Sequence, residues 1–214
     1  MRKRLSNKRI RDHFAWNTAV YRQQTYTDSQ TGESYCLKHM SSFTTPIKYE
    51  FKELNNPKEK RKGVLDVLVV FDPHCYTSAK TPDDKRDTLV TDHYNDGSYQ
   101  ERAFDLERYK YSHALVKIIT NLSYKTCRES QVPGKAIRLE DRDKKNPLAG
   151  VYVVMKLRPR DKKLTLYVET AHYRTNEPYD AKLKKVEEKY MLILGRLLRD
   201  KWPDVLPVDA KTPL

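Results

Sequence analysis

The strand-like stretch LTLYVETAHYRTNEP carries Thr170, His172 and Arg174 at every second position. In an extended strand that spacing puts the three side chains on one face, with Glu169 and Tyr173 on the other. A histidine flanked by a hydroxyl and a guanidinium suits chemistry at a phosphate. Cleavage of RNA without a metal needs a base for the 2′-hydroxyl, an acid for the leaving oxygen and fixed positive charge on the phosphate. The helix-like stretch ERYKYSHAL adds Arg108, Ser112 and His113. Arg108 and Ser112 are four apart and share a helix face. The candidate catalytic set is therefore His172 as acid–base residue, Arg174 and Arg108 on the phosphate, Thr170 as orienting hydroxyl, and His113. Tyr173 joins it only if a bulge turns the ring inward. The plain alternative is an ordinary half-buried strand histidine.

A second cluster lies in VVFDPHCYTSAK, where His74, Cys75 and Thr77 follow an apolar run and a proline. Three chemistries are open to it. With Cys36 and His39 of CLKHM, His74 and Cys75 make a Cys₂His₂ set of the right elements for zinc. Neighbouring side chains on a strand point to opposite faces, so only a turn after Pro73 lets both meet one ion. Cys75 with His74 or His93 is a thiolate pair in a second reading. In the third, favoured here, a core strand ends in a small buried cysteine with His74 bonded to backbone. No metal and no cofactor is expected.

The chain has 214 residues, 38% of them hydrophobic, enough for one domain with a sizeable core. Its 42 basic residues against 29 acidic ones give a net charge of +13. That imbalance concerns partners rather than fold, and RNA or another polyanion is the first expectation. The candidate nucleic-acid contacts are Arg2, Arg4 and Arg9 in a basic N-terminal arm, and Lys156, Arg158, Arg160 and Lys162 around the turn RPRDKK. No apolar run reaches the roughly 18 residues of a membrane helix, and no apolar segment follows the basic N-terminus as in a secretory signal. Three scattered cysteines make no disulfide framework. A cytoplasmic chain without a membrane partner fits these features.

The elements that must position these residues read as follows. AVYRQQTYTDSQTGESYCLKHM forms a hairpin, TPIKYEFKEL alternates as a strand, and GVLDVLVVF is the most buried strand. Residues 78–98 are polar throughout and read as a long loop. FDLERYKYSHALVKIITNL is the clearest helix, with Asp105 as its cap. GVYVVMKL and KLTLYVETAHYR pair across the basic turn, and a long amphipathic helix is expected over 180–201. The fold class is α+β: a mainly antiparallel β-sheet with a packed central helix and a long C-terminal amphipathic helix. The expected layout is a basic arm at 1–12, a single domain at 13–202 and an irregular tail at 203–214.

Two resemblances rest on these motifs. The helix carrying S-H-A-L at Ser112–Leu115, followed by strands ending in T-A-H-Y-R at Thr170–Arg174, resembles the small ribonuclease-toxin fold shared by barnase-like, colicin-type and RelE-like enzymes. P-H-C-Y-T at 73–77 ahead of F-D-L-E-R-Y at 104–109 is similar to segments of uncharacterised bacterial and prophage proteins with an H-C-[FY]-T motif. The first implies a helix packed on an antiparallel sheet, with the site on the late strands. The second implies a bacterial or mobile-element setting and no activity. The functional expectation is a basic RNA-binding protein, extending to a metal-independent ribonuclease of toxin or defence type with an antitoxin or host target as protein partner. The alternative is a non-catalytic phage or plasmid protein that binds or inhibits a host protein or nucleoprotein complex.

Overall fold

Alternation in FTTPIKYEFK and KRKGVLDVLVVF builds the long strands at the centre of the molecule. In the computed structural model these are β3 (Phe43–Lys52) and β4 (Lys60–Phe71), paired antiparallel from Phe43↔Val69 to Lys52↔Lys60. The structure describes residues 25–56, 58–93, 97–131, 136–142, 150–174 and 183–206. Arg2, Arg4 and Arg9, with the whole expected arm, lie outside the described residues, as do 207–214 of the expected tail.

The main sheet has seven strands. To β3 and β4 it adds β8 (Thr126–Ser130), β9 (Ile137–Arg142), β10 (Gly150–Arg160), β11 (Lys163–Arg174) and β12 (Leu183–Lys189), in the order β12-β8-β9-β10-β11-β4-β3. Every neighbouring pair is antiparallel except β11 with β4, whose register runs from Leu164↔Val67 to Val168↔Phe71. The chain class is α+β, as its sequence suggests.

One face of this sheet is apolar. Ile47, Val67, Val69, Leu166, Val168, Val153 and Met155 on it are almost wholly buried. Among the described residues three helices complete the core: α1 (Leu106–Ser112), α2 (Leu115–Thr120) and α3 (Tyr190–Asp200). The apolar positions of α3 recur at helical spacing and bury Tyr190, Ile193, Leu194, Leu197 and Leu198. Gly195 lets α3 lie directly on β3, because a Cβ there would run into the Glu50 carbonyl.

Four expectations change. The helix expected over 180–201 is half strand: Leu183–Lys189 pairs with β8, and α3 begins only where Tyr190 N–H donates to the Lys125 carbonyl at 2.9 Å. An available strand edge outweighs weak local helix preference. The central helix is two short ones, interrupted at His113 and Ala114, while Asp105 caps the first by accepting from Arg108 N–H at 3.0 Å. The polar stretch 78–98 contributes strands: β5 (Thr77–Ala79) and β6 (Val90–His93) flank β7 (Tyr99–Phe104) in a small sheet of order β5-β7-β6. A further hairpin, β1 (Thr25–Thr27) with β2 (Ser34–Cys36), docks through Tyr26 and Tyr35, whose rings lie 4.6 and 4.7 Å from that of Phe104. Beyond α3, Pro203–Val205 forms a 3-10 turn that buries Val205 and Leu206, where an irregular tail is expected.

Candidate nucleic-acid interface and histidine site

Strand β11 turns sharply out of β10 at Asp161 and Lys162, both at positive φ (51° and 61°). That is the backbone of a tight two-residue hairpin, and it presents Arg160, Lys162 and Lys163 at its tip, all exposed. Further along, the β10–β11 register slips by one residue: Met155 faces Val168 while Val154 faces Thr170. This bulge exchanges the parity of β11. Leu164, Leu166 and Val168 face the core before it, and Ala171 does so after it. Thr165 and Tyr167 therefore share the opposite face with Thr170, His172 and Arg174.

On that face the three expected residues touch. Arg174 Nε donates to His172 Nε2 at 2.6 Å, and His172 Nδ1 lies 3.3 Å from Thr170 Oγ1. With its Nε2 lone pair engaged, the ring is neutral and carries its proton on Nδ1, which Thr170 accepts. Burial, then the Arg108 charge, then that of Arg174 lower the imidazole to about 4. At neutral pH such a ring is a base and not an acid.

Arg108 enters from the side. Beyond the end of β4, the 3-10 turn Pro73–Cys75 and helix α1 border β11. Arg108 Nη1 donates to the His74 carbonyl at 2.9 Å. Its guanidinium is lowered, chiefly by burial. Tyr173 stays on the core-facing side, where its ring stacks on Tyr111 at 5.5 Å. The bulge moves Glu169 instead: its carboxylate pairs with Lys156, on the same side as Thr170 rather than opposite it.

His113 is not part of this group. Its ring stacks on His39 at 3.8 Å, and His39 Nε2 lies 2.6 Å from Ser112 Oγ. Burial and the neighbouring His113 lower His39 to about 4. The four residues of the zinc reading are dispersed. Cys36 is exposed and Cys75 wholly buried, while His74 is bound to Asp92. Among the described residues no three His, Cys, Asp or Glu side chains gather as metal ligands. Burial and Asp72 push the Cys75 thiol well up, and its Sγ donates to the Val168 carbonyl at 3.5 Å, so it is no thiolate nucleophile.

Sequence reasoning missed the network behind His74. His74 Nε2 lies 2.7 Å from Asp92 Oδ2, a carboxylate with no exposed surface. Arg102 sits 3.8 Å from the same oxygen and donates to Thr77 through Nε (3.0 Å) and Nη2 (2.9 Å). The signal available was alternation in VTDH, which buries Val90 and Asp92 together. A buried carboxylate on a strand needs a cation partner.

Among the described residues no helix is long and apolar enough to cross a membrane. The chain belongs to the YjaZ family. That family's model matches residues 22–198, the whole sheet system and nearly all of α3. No curated protein and no solved structure matches the chain. The histidine site and the basic hairpin both fall within the family match.

Proposed function

We propose that this YjaZ-family protein binds RNA through the face of the main sheet that carries His172. The observation that supports this reading is the β11 bulge. It keeps Thr170, His172 and Arg174 on the same side as Tyr167 and the basic strand β10. Phosphates would meet Lys156 and Arg158 along β10, Arg160 and Lys162 at its tip, and Arg174 at the other end. The net charge of +13 suits a polyanionic partner. Three free cysteines and the absence of a membrane-crossing helix among the described residues suit a reducing compartment such as the cytoplasm.

A second reading, metal-independent cleavage of a toxin or defence type, rests on one specific feature: the neutral imidazole. When a phosphate draws Arg174 away, His172 Nε2 becomes available to accept the 2′-hydroxyl proton. The freed oxygen attacks phosphorus, the 5′-oxygen leaves and takes its proton from water, and a cyclic phosphate remains. Arg108 and Arg174 offset the charge gathering on the phosphoryl oxygens. A ring lowered to about 4 is a weak base, so slow turnover is expected.

The test uses the full chain with labelled RNA and DNA in EDTA, scored for gel shift and for cut products. Binding alone supports the interface. Cyclic-phosphate ends, lost in His172→Ala while the thermal midpoint holds, support the second reading. Cleavage that survives His172→Ala unchanged removes His172 from it, and a failure to shift any RNA sinks the first.

A further inference from the structure

The same sheet face carries a feature that phosphate binding does not use. β4 is an interior strand, flanked by β3 and β11, yet two branched apolar side chains on its outer side are open to solvent: Val64 (51% exposed) and Leu68 (37%). They lie four residues apart on that face, with exposed Asp66 between them, and exposed apolar side chains gathered on one face mark contact surfaces. Leu68 lies beside Thr165, which lies beside Arg158 in the next strand. The Arg158 guanidinium stands 5.9 Å from the centre of the Tyr167 ring, so the strip continues as a planar cation over an aromatic.

Lysines border this strip on its β3 and β4 side. Lys48 pairs in register with Val64, and Lys62 precedes Val64 by two residues on the same face. Lys60 and Lys62 share the single carboxylate of Glu50, at 3.2 and 3.5 Å, which leaves that border net positive. On the other side Lys156 stands opposite Tyr167, paired with the Glu169 carboxylate. The result is a short strip of apolar and aromatic side chains, crossed by the exposed Asp66 carboxylate, with a net positive border on its β3 and β4 side.

That pattern selects among polyanions. A duplex hides its bases and shows a partner mainly phosphate and sugar, for which an apolar floor has no use. A single strand offers flat apolar bases and a charged backbone together, and proteins bind it by stacking bases in a basic groove. We infer that the ligand of this face is single-stranded RNA, with bases laid over Val64, Leu68 and the Arg158–Tyr167 pair and phosphates on Lys48, Lys62 and Lys156. The inference rests on the RNA-binding reading above and deepens it. A protein partner with an apolar docking patch is the competing occupant, and the lysines on the β3 and β4 side disfavour it.

The experiment is a salt-controlled titration of the full chain with labelled oligouridine and with a duplex RNA carrying the same number of phosphates. Single-strand affinity is expected to exceed duplex affinity by about tenfold or more, and Tyr167→Ala to lower it by about tenfold. Val64→Asp, at a side chain already half in water, should lower it at least as far without moving the melting midpoint. This second variant guards against a Tyr167 change that merely loosens β11. Duplex bound as tightly as single strand, or single-strand affinity unchanged in both variants, overturns the inference and leaves RNA binding standing. Binding to neither RNA overturns both.

Discussion

Two histidines near Arg108 keep opposite company: Arg108 donates to the backbone carbonyl of His74 and acts through its charge on the ring of His172. His172 takes its bond from an arginine, Arg174, and is neutral. His74 is bonded to a carboxylate, Asp92, that has no exposed surface. The first arrangement leaves a lone pair that a departing arginine can release, in a half-buried ring. The second ties the turn after β4 to strand β6, and through Arg102 to β5 and β7. On the proposed reading, one histidine exchanges partners while the other holds them. Partner charge and burial, rather than residue type, divide the two roles.

The sharpest way to break that contrast is at Asp92. Asp92→Ala leaves His74 and Arg102 without their shared carboxylate in a buried place. Removing one member of a buried ionic group costs about 3–5 kcal/mol. Urea denaturation is expected to show a loss of that size. A loss under about 1 kcal/mol, the range of an exposed pair, would mean that the network is solvated and that His74 is no joint.

Much of the site was legible because its determinants are local. Two-residue alternation places Thr170, His172 and Arg174 together, and the residues after Pro159 turn into a hairpin. An aspartate at the start of FDLERY caps a helix. What was not legible depends on partners far along the chain. Arg108 reaches a carbonyl 34 residues away and His74 a carboxylate 18 residues away, with no periodic signature between them. Residues 78–98 look like a loop because β5 and β6 are short and gain order from β7. KLKKVEEKY has a three-residue apolar spacing compatible with a helix, yet the open edge of β8 takes it as a strand. Glu169 lies where a bulge, invisible to alternation, changes which face it joins.

The next effect is on pH dependence. His172 and His39 both titrate near 4 in the folded chain against an ordinary 6.5. Between those values the unfolded chain binds protons that the folded one does not, so stability falls as pH falls from 6.5 toward 4. Below about 4 both states are protonated and these two groups add no further slope. Denaturant midpoints measured across this window should drop with acid, and the double variant His39→Gln/His172→Gln should fall less steeply. Equal slopes would show that neither ring is held neutral by the fold.

The smallest effect tests the bond that defines the contrast. Burial is the largest cause of the lowered His172 value, Arg108 the second and Arg174 the third. Arg174→Gln should therefore raise the His172 midpoint only part of the way back toward 6.5, because burial and Arg108 remain. Arg108→Gln should raise it further, but it also removes the bond to the His74 carbonyl, so Arg174→Gln is the cleaner change. Proton NMR of the imidazole resonances follows the midpoint directly. A His172 midpoint that does not move in Arg174→Gln would mean that arginine and imidazole do not face each other in solution. The lone pair would then have no guard, and the base role proposed for His172 would need no phosphate to release it.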